Sequence, residues 1–168
     1  IGPLATADVS NAKYVLFLGR NYAEGLSPSN TATLTTAYEK GIKVVIVDPR
    51  HNAACMLANE WVPIRPGTDL GLLLGIANVL IQENLYDKEF VEQYSLGFDE
   101  FKKTVKQYTP EWAQTVTDIP AAKIYEIARD LGKNRPTACI EQGYKAPNGA
   151  NYINGPDTFR MMAIVNGL

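Results

Sequence analysis

Residues 43–69 read KVVIVDPRHNAACMLANEWVPIRPGTD, and this stretch carries the pattern that decides the fold. An apolar strand, Lys43–Val47, ends directly in an acid, Asp48, and a second polar loop follows at residues 65–69. This layout is typical of the nucleotide-binding edge of an α/β sheet, where an acid after a strand accepts hydrogen bonds from a ribose or a base. The second loop can close over the same ligand. The stretch therefore predicts a site for a large nucleotide cofactor.

Strand and helix patterns alternate along the chain. Apolar runs predict buried strands at Tyr14–Leu18, Lys43–Val47 and residues 137–141, with a short extended segment at residues 61–64. Helical patterns lie between them, at residues 30–40, 52–59, 68–84, 87–94, 98–107, from 110 onward, at 119–131 and from 156 onward. Such alternation predicts a parallel sheet. We therefore expect one α/β domain over residues 1–168, a three-layer α/β/α sandwich with a mainly parallel sheet.

Single residues predict details of these helices. Thr68 is expected to cap the helix that follows it, and Pro120 to occupy the first position of the helix that ends at Gly132. In the last helix, four residues recur at helical spacing and indicate its amphipathic pattern: Phe159, Met162, Ala163 and Asn166.

The composition excludes several classes of protein. With 16 basic and 18 acidic residues, the chain lacks the basic patch or polybasic run that nucleic acids and membrane surfaces require. The apolar stretch at residues 70–81 is too short to span a bilayer and is broken by Gly71, Gly75 and Asn78. We therefore expect neither nucleic acid binding nor direct membrane insertion.

Two further features concern the chain as a whole. Cys55 and Cys139 fit no metal or redox motif, so we expect them to be small buried apolar residues. The sequence enters a strand almost at once and stops within a helical pattern. We therefore expect it to be a piece of a longer protein.

The loop after the first strand, residues 19–25, contains groups that suit a phosphate. Gly19 lets backbone N–H groups approach a ligand, and Arg20 and Asn21 add further donors. The loop is not a GxGxxG motif, so an ordinary strand-to-helix turn is an open alternative.

The loop after the second strand, residues 48–51, begins with an acid whose geometry Pro49 restricts. Asp48 suits a ribose hydroxyl or a guanine N–H, and Arg50 could stack on a purine or pair with a phosphate. The alternative is a surface ion pair for Arg50 and a helix cap by Asp48. His51, the one histidine, has no ligand pattern around it and is given no catalytic role.

The third loop, residues 65–69, opens a long helix. Asp69 can accept two hydrogen bonds there, from the N1–H and the exocyclic amine of a purine, a pattern that selects guanine over adenine. The alternative is that Thr68 and Asp69 only complete the amino terminus of the helix.

Longer phrases carry a resemblance that outranks these motifs. In order along the chain they are LGRNYAEG, VVIVDPR, ANEWVPIRPGTD, IQENLYDKEFVEQYSLGFDEFKKTVKQYTPEWA and IPAAKIYEIARDL. The chain resembles the molybdopterin oxidoreductase family, which includes dimethyl sulfoxide reductase, formate dehydrogenase and periplasmic nitrate reductase. The resemblance spans nearly the whole sequence, and several of its phrases have no phosphate-binding logic of their own. Common descent therefore explains their shared order better than convergence.

The resemblance implies a Rossmann-like domain that binds one of two molybdopterin guanine dinucleotides. Residues 19–25 would line the pyrophosphate and pterin, residues 48–51 the guanosine, and residues 67–69 the guanine. The residues carried over are Gly19, Arg20, Asn21, Ala23, Glu24, Asp48, Arg50, His51, Gly67, Thr68 and Asp69.

The loop after the last strand is a weaker candidate. By the same resemblance Gln142 and Gly143 would lie nearer the pterin and the metal, and Lys145 could face substrate. A glycine-containing surface turn is the open alternative.

The resemblance also implies what this stretch lacks. In that family the iron–sulfur cysteines and the ligand of molybdenum or tungsten precede this segment, so we assign no catalytic residue and expect the chain alone to be inactive. Its partners would be the remaining domains of the same chain and an iron–sulfur electron-transfer subunit. The parent would catalyse oxygen-atom or two-electron transfer, in the cytoplasm or the periplasm.

Two alternatives stay open. One is an electron-transfer scaffold without molybdenum cofactor, like the large iron–sulfur subunit of respiratory NADH dehydrogenase, against which the retained Asp48, Arg50 and Asp69 argue. The other is an adenine-nucleotide domain of NAD type, against which the absence of GxGxxG argues.

Overall fold

A parallel four-stranded sheet forms the middle of the described chain. The structure is a computed structural model that describes residues 7–24, 27–143 and 153–168. The strands are β1 (Tyr14–Leu18), β2 (Lys43–Val47), β3 (Glu60–Val62) and β4 (Ala138–Gln142), in the spatial order β3-β2-β1-β4. All three pairings are parallel, and Leu18 at the end of β1 lies level with Val47 and Gln142. The predicted parallel sheet is therefore confirmed.

Helices cover both faces of this sheet. They are α1 (Pro28–Glu39), α2 (Asp69–Gln82), α3 (Lys88–Tyr94), α4 (Phe98–Val105), α5 (Pro110–Thr117), α6 (Ala121–Lys133) and α7 (Gly155–Asn166), with short 3₁₀ helices at Val9–Asn11 and Ala53–Leu57.

The two faces of β1 lead into two separate cores, because successive side chains of a strand point to opposite sides. Tyr14, Leu16 and Leu18 belong to a core with residues of α2, α5, α6 and α7. Val15 and Phe17 belong to a second core with residues of α1 and both 3₁₀ helices. The three-layer α/β/α arrangement is therefore confirmed.

Most element boundaries agree with the sequence patterns, with small differences. Strands β1 and β2 have the predicted bounds, and β4 lies one residue later than predicted. The short extended segment is β3, which begins one residue and ends two residues earlier than predicted, and the predicted helix at residues 52–59 is the 3₁₀ helix Ala53–Leu57. Pro120 lies just outside α6, at its N-cap, rather than at the first helical position.

The expectation that Gly132 ends α6 is wrong. The helix continues to Lys133, and Gly132 is buried inside it. A Cβ atom at this position would lie 2.7 Å from Cβ of Leu85 and 3.1 Å from its carbonyl oxygen. The glycine therefore allows α6 to approach the loop after α2, a role that depends on a distant segment rather than on the local helix signal.

Helix α7 packs one side against the core, but that side is not the one that the four residues of the sequence pattern mark. The helix buries Thr158, Met161 and Val165, whereas Phe159 is exposed. Apolar residues occur on both sides of this helix, so the helical period alone did not identify the packed side. Asn166 has a different role: its Oδ1 accepts a hydrogen bond from the Ile140 N–H at 2.8 Å, and its Nδ2 donates to the Ile140 carbonyl at 3.1 Å. These two hydrogen bonds satisfy the backbone N–H and carbonyl of Ile140 on the outer edge of β4. Unpaired backbone groups on an edge strand can otherwise pair with a strand of another molecule.

We predict that Gly132→Ala lowers the free energy of unfolding by about 1–2 kcal/mol, because overpacking against Leu85 outweighs the better helix propensity of alanine. Urea denaturation followed by circular dichroism measures the change. Lys133→Ala, at the exposed neighbouring position, is the control and should stay within about 0.5 kcal/mol of the original chain. An unchanged or increased stability of Gly132→Ala would contradict this packing role.

Candidate nucleotide site at the carboxyl edge of the sheet

The strand order identifies the edge where a ligand would bind. From β1 the chain adds β2 and then β3 on one side, and it later returns to place β4 on the other side of β1. Such a reversal opens a crevice beyond the carboxyl ends of the strands, which is where open α/β sheets bind ligands. The carboxyl ends of the four strands all lie at this edge, because the pairing is parallel throughout.

Two glycines connect the end of β1 to the ends of both neighbouring strands at this reversal. The Gly19 N–H donates to the Val47 carbonyl at 2.9 Å, and the Gly143 N–H donates to the Leu18 carbonyl at 2.8 Å. A Cβ atom at position 143 would lie 1.9 Å from the Gly19 carbonyl oxygen, a distance that no side chain tolerates. Gly143 is therefore required by the close approach of the two backbones. Gln142 pairs in register with Leu18, and Lys145 lies outside the described residues.

Asn21 builds the loop that follows β1. Its Oδ1 accepts hydrogen bonds from the N–H groups of Ala23 at 3.0 Å and Glu24 at 3.1 Å, and its Nδ2 donates to Oε2 of Glu24. The hydroxyl of Thr31 in α1 donates to the Tyr22 carbonyl at 2.9 Å. The loop thus has a conformation of its own, with Ala23 and Glu24 positioned by the Asn21 side chain.

Arg20 lies against a buried acid that the sequence did not reveal. Its Nε is 3.6 Å from Oε1 of Glu141 in β4, and its guanidinium lies 4.9 Å from the centre of the Tyr22 ring. The side chains of Arg20 and Glu141 are only 12% and 16% exposed. Burial raises the pKa of Glu141, while the positive charge of Arg20 opposes the rise. Arg20 therefore ties the first loop to β4, and its expected role as a phosphate donor stays a prediction.

Asp48 is held in place from three directions. Its Oδ1 accepts from the Arg50 N–H at 2.8 Å, its Oδ2 accepts from Nδ2 of Asn52 at 3.0 Å, and its carbonyl accepts from the indole N–H of Trp61 at 2.9 Å. The alternative that Asp48 caps the next helix is wrong, because Oδ1 of Asn52 accepts the Ala54 N–H there. Asn52 is a buried polar residue that sequence reasoning missed.

Arg50 and His51, which lie in the same loop, are exposed. Nη2 of Arg50 lies 2.8 Å from Oε2 of Glu24, so the surface ion pair considered for Arg50 is present. The His51 ring meets the Trp61 ring edge-on, with 5.1 Å between their centres. Both side chains remain within reach of solvent at the carboxyl edge.

The third loop turns sharply before α2. Gly67 has a φ of +79°, which favours glycine. The expectation that Thr68 caps α2 with its side chain is wrong. Its hydroxyl instead donates to the Arg65 carbonyl at 2.6 Å. Nδ2 of Asn154, just before α7, donates to the Gly67 carbonyl at 3.3 Å. The last helix therefore supports the loop that sequence reasoning linked to guanine.

Asp69 is the first residue of α2 and is 7% exposed. Burial raises the pKa of its carboxyl group, its own backbone N–H opposes the rise, and the negative charge of Asp48 adds to it. The two acids selected from the sequence are thus close enough to interact. Among the residues that the structure describes, Asp69 forms no ion pair.

The chemistry of this edge follows from its acceptors. Two carboxylates that retain unused lone pairs, next to a glycine turn, can accept hydrogen bonds from N–H or O–H donors of a ligand. No group of three or more His, Cys, Asp or Glu residues could hold a metal ion within residues 7–24, 27–143 and 153–168. In the same ranges no helix is long and apolar enough to cross a membrane.

Comparison with known proteins identifies the family. A family model described as molybdopterin oxidoreductase matches residues 3–167. The chain belongs to the molybdopterin oxidoreductase family.

Individual members of this family are similar over nearly the full sequence. The chain is 40% identical over 161 residues to the thiosulfate reductase molybdopterin-containing subunit of Salmonella typhimurium, covering 96% of this chain and 21% of that protein. It is 36% identical over 186 residues to a dimethyl sulfoxide reductase of Escherichia coli, covering 96% and 22%. The solved structure of acetylene hydratase from Pelobacter acetylenicus superimposes with a TM-score of 0.89 and 31% identity, covering 97% and 22%. The chain thus spans about a fifth of the length of these relatives.

Membership of the molybdopterin oxidoreductase family implies a molybdopterin cofactor with its metal, and the carboxyl edge is compatible with part of such a group. Asp69 is buried and forms no ion pair with any residue that the structure describes, and the negative charge of Asp48 acts on it, so both acids can receive donors from a base or a ribose. The Gly19 and Gly143 backbones approach each other closely at the reversal of strand order, where neither residue has a side chain.

We predict that Asp69→Asn stabilises the chain at neutral pH. Since burial raises the pKa of Asp69 above its ordinary value of 3.8, folding takes up a proton between the ordinary and the raised pKa. Stability therefore falls as the pH rises through that range. The variant should gain about 0.5–2 kcal/mol at pH 7, and the gain should shrink as the pH falls toward 3.8.

Urea denaturation at several pH values checks this expectation. Glu83→Gln is a control of opposite sign, because the hydrogen bond from Arg129 lowers the pKa of Glu83 and the acid stabilises the chain at neutral pH. A loss of stability in Asp69→Asn at pH 7 would show that the carboxylate is not an unfavourable buried charge.

Proposed function

We propose that this chain binds the guanosine and pyrophosphate part of a molybdopterin guanine dinucleotide. The observation that carries the proposal is the pair of acids at the carboxyl edge, one buried at the start of α2 and one fixed at the end of β2. A guanine base presents an N1–H and an exocyclic amine side by side, and a carboxylate can accept both. An adenine base presents no such pair of donors on the same edge.

The proposal assigns a role to each loop. Asp69 accepts from the guanine, Asp48 accepts from the guanosine, and the backbone at Gly19 and Gly143 admits the phosphates and the pterin side. Gly67 and Thr68 form the turn that presents Asp69, and Gln142 is kept as a neighbour of the pterin side. The surrounding hydrogen bonds hold these groups before a ligand arrives, which lowers the cost of binding.

The parent protein would be an oxidoreductase with molybdenum or tungsten that transfers an oxygen atom or an electron pair. When bound, the metal and its dithiolenes supply the redox chemistry, and this domain supplies binding and orientation. An iron–sulfur cluster in another part of the parent, and an iron–sulfur partner subunit, would carry electrons. The matched relatives, which include a thiosulfate reductase subunit and a dimethyl sulfoxide reductase, support an activity of this class.

A cofactor-free electron-transfer scaffold is the less favoured function. Such a scaffold would gain nothing from a buried carboxylate whose pKa is raised, because the buried charge costs stability. The retention of that acid beside a second one is better explained by a ligand that donates hydrogen bonds to both.

We predict that GDP binds this chain more tightly than IDP, ADP or NAD in calorimetric titrations. IDP is the matched ligand, because it differs from GDP only by the missing exocyclic amine. Losing one of two hydrogen bonds to Asp69 should weaken binding about 10- to 100-fold, since the buried carboxylate then lacks a partner.

The variant Asp69→Asn tests which residue is responsible. An amide has one acceptor oxygen in place of two, so the ratio between GDP and IDP affinity should fall toward one. Thermal denaturation of the variant establishes that it is folded. Equal affinity for GDP and ADP, or no binding of either at millimolar concentration, would contradict guanine recognition by this chain.

A further inference from the structure

One carboxylate oxygen joins the loops that follow β1 and β2. Oε2 of Glu24 accepts a hydrogen bond from Nδ2 of Asn21, and the same oxygen accepts from Nη2 of Arg50 at 2.8 Å. An amide N–H and a guanidinium therefore converge on a single negatively charged oxygen. This arrangement lies at the carboxyl edge, between two neighbouring strands of the sheet.

The converging donors are of the kind that bind phosphate. Arginine pairs with phosphate through two parallel N–H groups, and charge-assisted hydrogen bonds of this type are stronger than neutral ones. The carboxylate of Glu24 has the same chemistry as a phosphate oxygen, with less charge. Asn21 and Arg50 thus already surround an oxyanion, and that oxyanion belongs to the protein itself.

The bridge is exposed and can open at little cost. The side chain of Arg50 is 70% exposed and that of Glu24 is 44% exposed. Ion pairs this accessible to water stabilise a protein only weakly, and salt screens them. A ligand with a doubly charged phosphate therefore competes well for the same arginine.

The loops do not depend on this bridge for their conformation. The first loop is held by Oδ1 of Asn21, which accepts two backbone N–H groups. The second is held by Asp48, which accepts from the Arg50 backbone and from Asn52. Removing the Glu24 carboxylate should thus leave both loops in place, so the bridge is available for another purpose.

We propose that Asn21 and Arg50 form an oxyanion subsite in which Glu24 is a built-in competitor of the ligand's diphosphate. The diphosphate displaces the Glu24 carboxylate from the Arg50 guanidinium, and Glu24 then turns to solvent. Glu24 thereby lowers the affinity of the subsite for free anions. A ligand that also binds through other groups, such as a base, can still displace the carboxylate. The identity of the diphosphate rests on the proposed function, whereas the subsite rests on the three side chains alone.

Inorganic pyrophosphate is the probe for this subsite, because it carries the two phosphates without a base. Calorimetric titration of the 168-residue chain and of Glu24→Gln at low salt should show that the variant binds about two to five times more tightly, the factor expected for loss of an exposed competing ion pair. Arg50→Ala should weaken binding. In the double variant Glu24→Gln/Arg50→Ala the gain should vanish, because the competitor acts through the arginine.

Glu83→Gln is the matched control. Glu83 forms an ion pair with Arg129, whose side chain is 58% exposed, and it follows the last residue of α2, the helix that begins at the carboxyl edge with Asp69. The substitution removes the same charge and the same type of contact elsewhere on the surface, so pyrophosphate affinity should not change. Each single variant should also melt within about 3 °C of the original chain.

Several results would overturn the proposal. Unchanged or weaker pyrophosphate binding in Glu24→Gln would show that Glu24 does not compete. Pyrophosphate affinity could also rise equally when Glu24→Gln is added to Arg50→Ala, or rise in Glu83→Gln. Either result would show that the net charge of the chain, rather than competition for Arg50, sets the affinity. Pyrophosphate carries no base, so failure of guanine recognition in the GDP and IDP titrations and failure of this subsite with pyrophosphate give different patterns.

Discussion

Strand β1 is the constraint on which the rest of the structure depends. It is buried on both faces and hydrogen-bonded on both edges, to β2 and to β4. Its alternating side chains enter two cores, so helices must cover both sides of the sheet. Each fully buried large side chain in this strand contributes roughly 1.5–3 kcal/mol. Because β2 and β4 run parallel to β1 and in register with it, the carboxyl ends of these strands lie next to each other at one edge of the sheet.

The close contact of Gly19 and Gly143 lies at the carboxyl edge of the sheet, at the centre of the candidate nucleotide site. The two backbones approach until a single Cβ atom would not fit between them. At the same point the strand order reverses, which is the position at which open α/β sheets bind ligands. The polar residues that surround it come from segments far apart in the sequence, from the loop after β1 to the start of α7. The same approach of the two backbones therefore packs the strands together and positions the loops of the candidate site.

The sequence predicted the features that are local. The strands Tyr14–Leu18 and Lys43–Val47 have continuous apolar runs with polar or glycine ends, and both were located to the residue. Asp48 and Asp69 were selected as a pair because each follows a strand or opens a helix, and the structure brings them within electrostatic range of each other. Features that depend on distant segments were missed. Glu141 meets Tyr22 across 119 positions, and no local pattern marks that contact.

Errors in the sequence interpretation have a common physical cause, which is that one residue type serves several purposes. Glycine ends helices, but Gly132 is needed inside α6 because Leu85 packs against it. Threonine caps helices, but the Thr68 hydroxyl satisfies the carbonyl of Arg65. In α7 apolar residues lie on both sides, so periodicity did not decide between them. In each case the deciding partner lies on another element or in the turn itself.

The three arginines of the site loops show how structure separates residues that look equivalent in sequence. Arg20 is largely buried with Glu141, so its charge is committed to holding the first loop against β4. Arg65 forms a two-bonded pair with Asp118, the residue that ends α5, and thereby ties the third loop to that helix. Arg50 is the most exposed of the three, and its partner Glu24 is also accessible to water. Since the cost of separating an ion pair rises with its burial and with its number of hydrogen bonds, Arg50 is the arginine best able to exchange an internal carboxylate for the phosphate of a ligand.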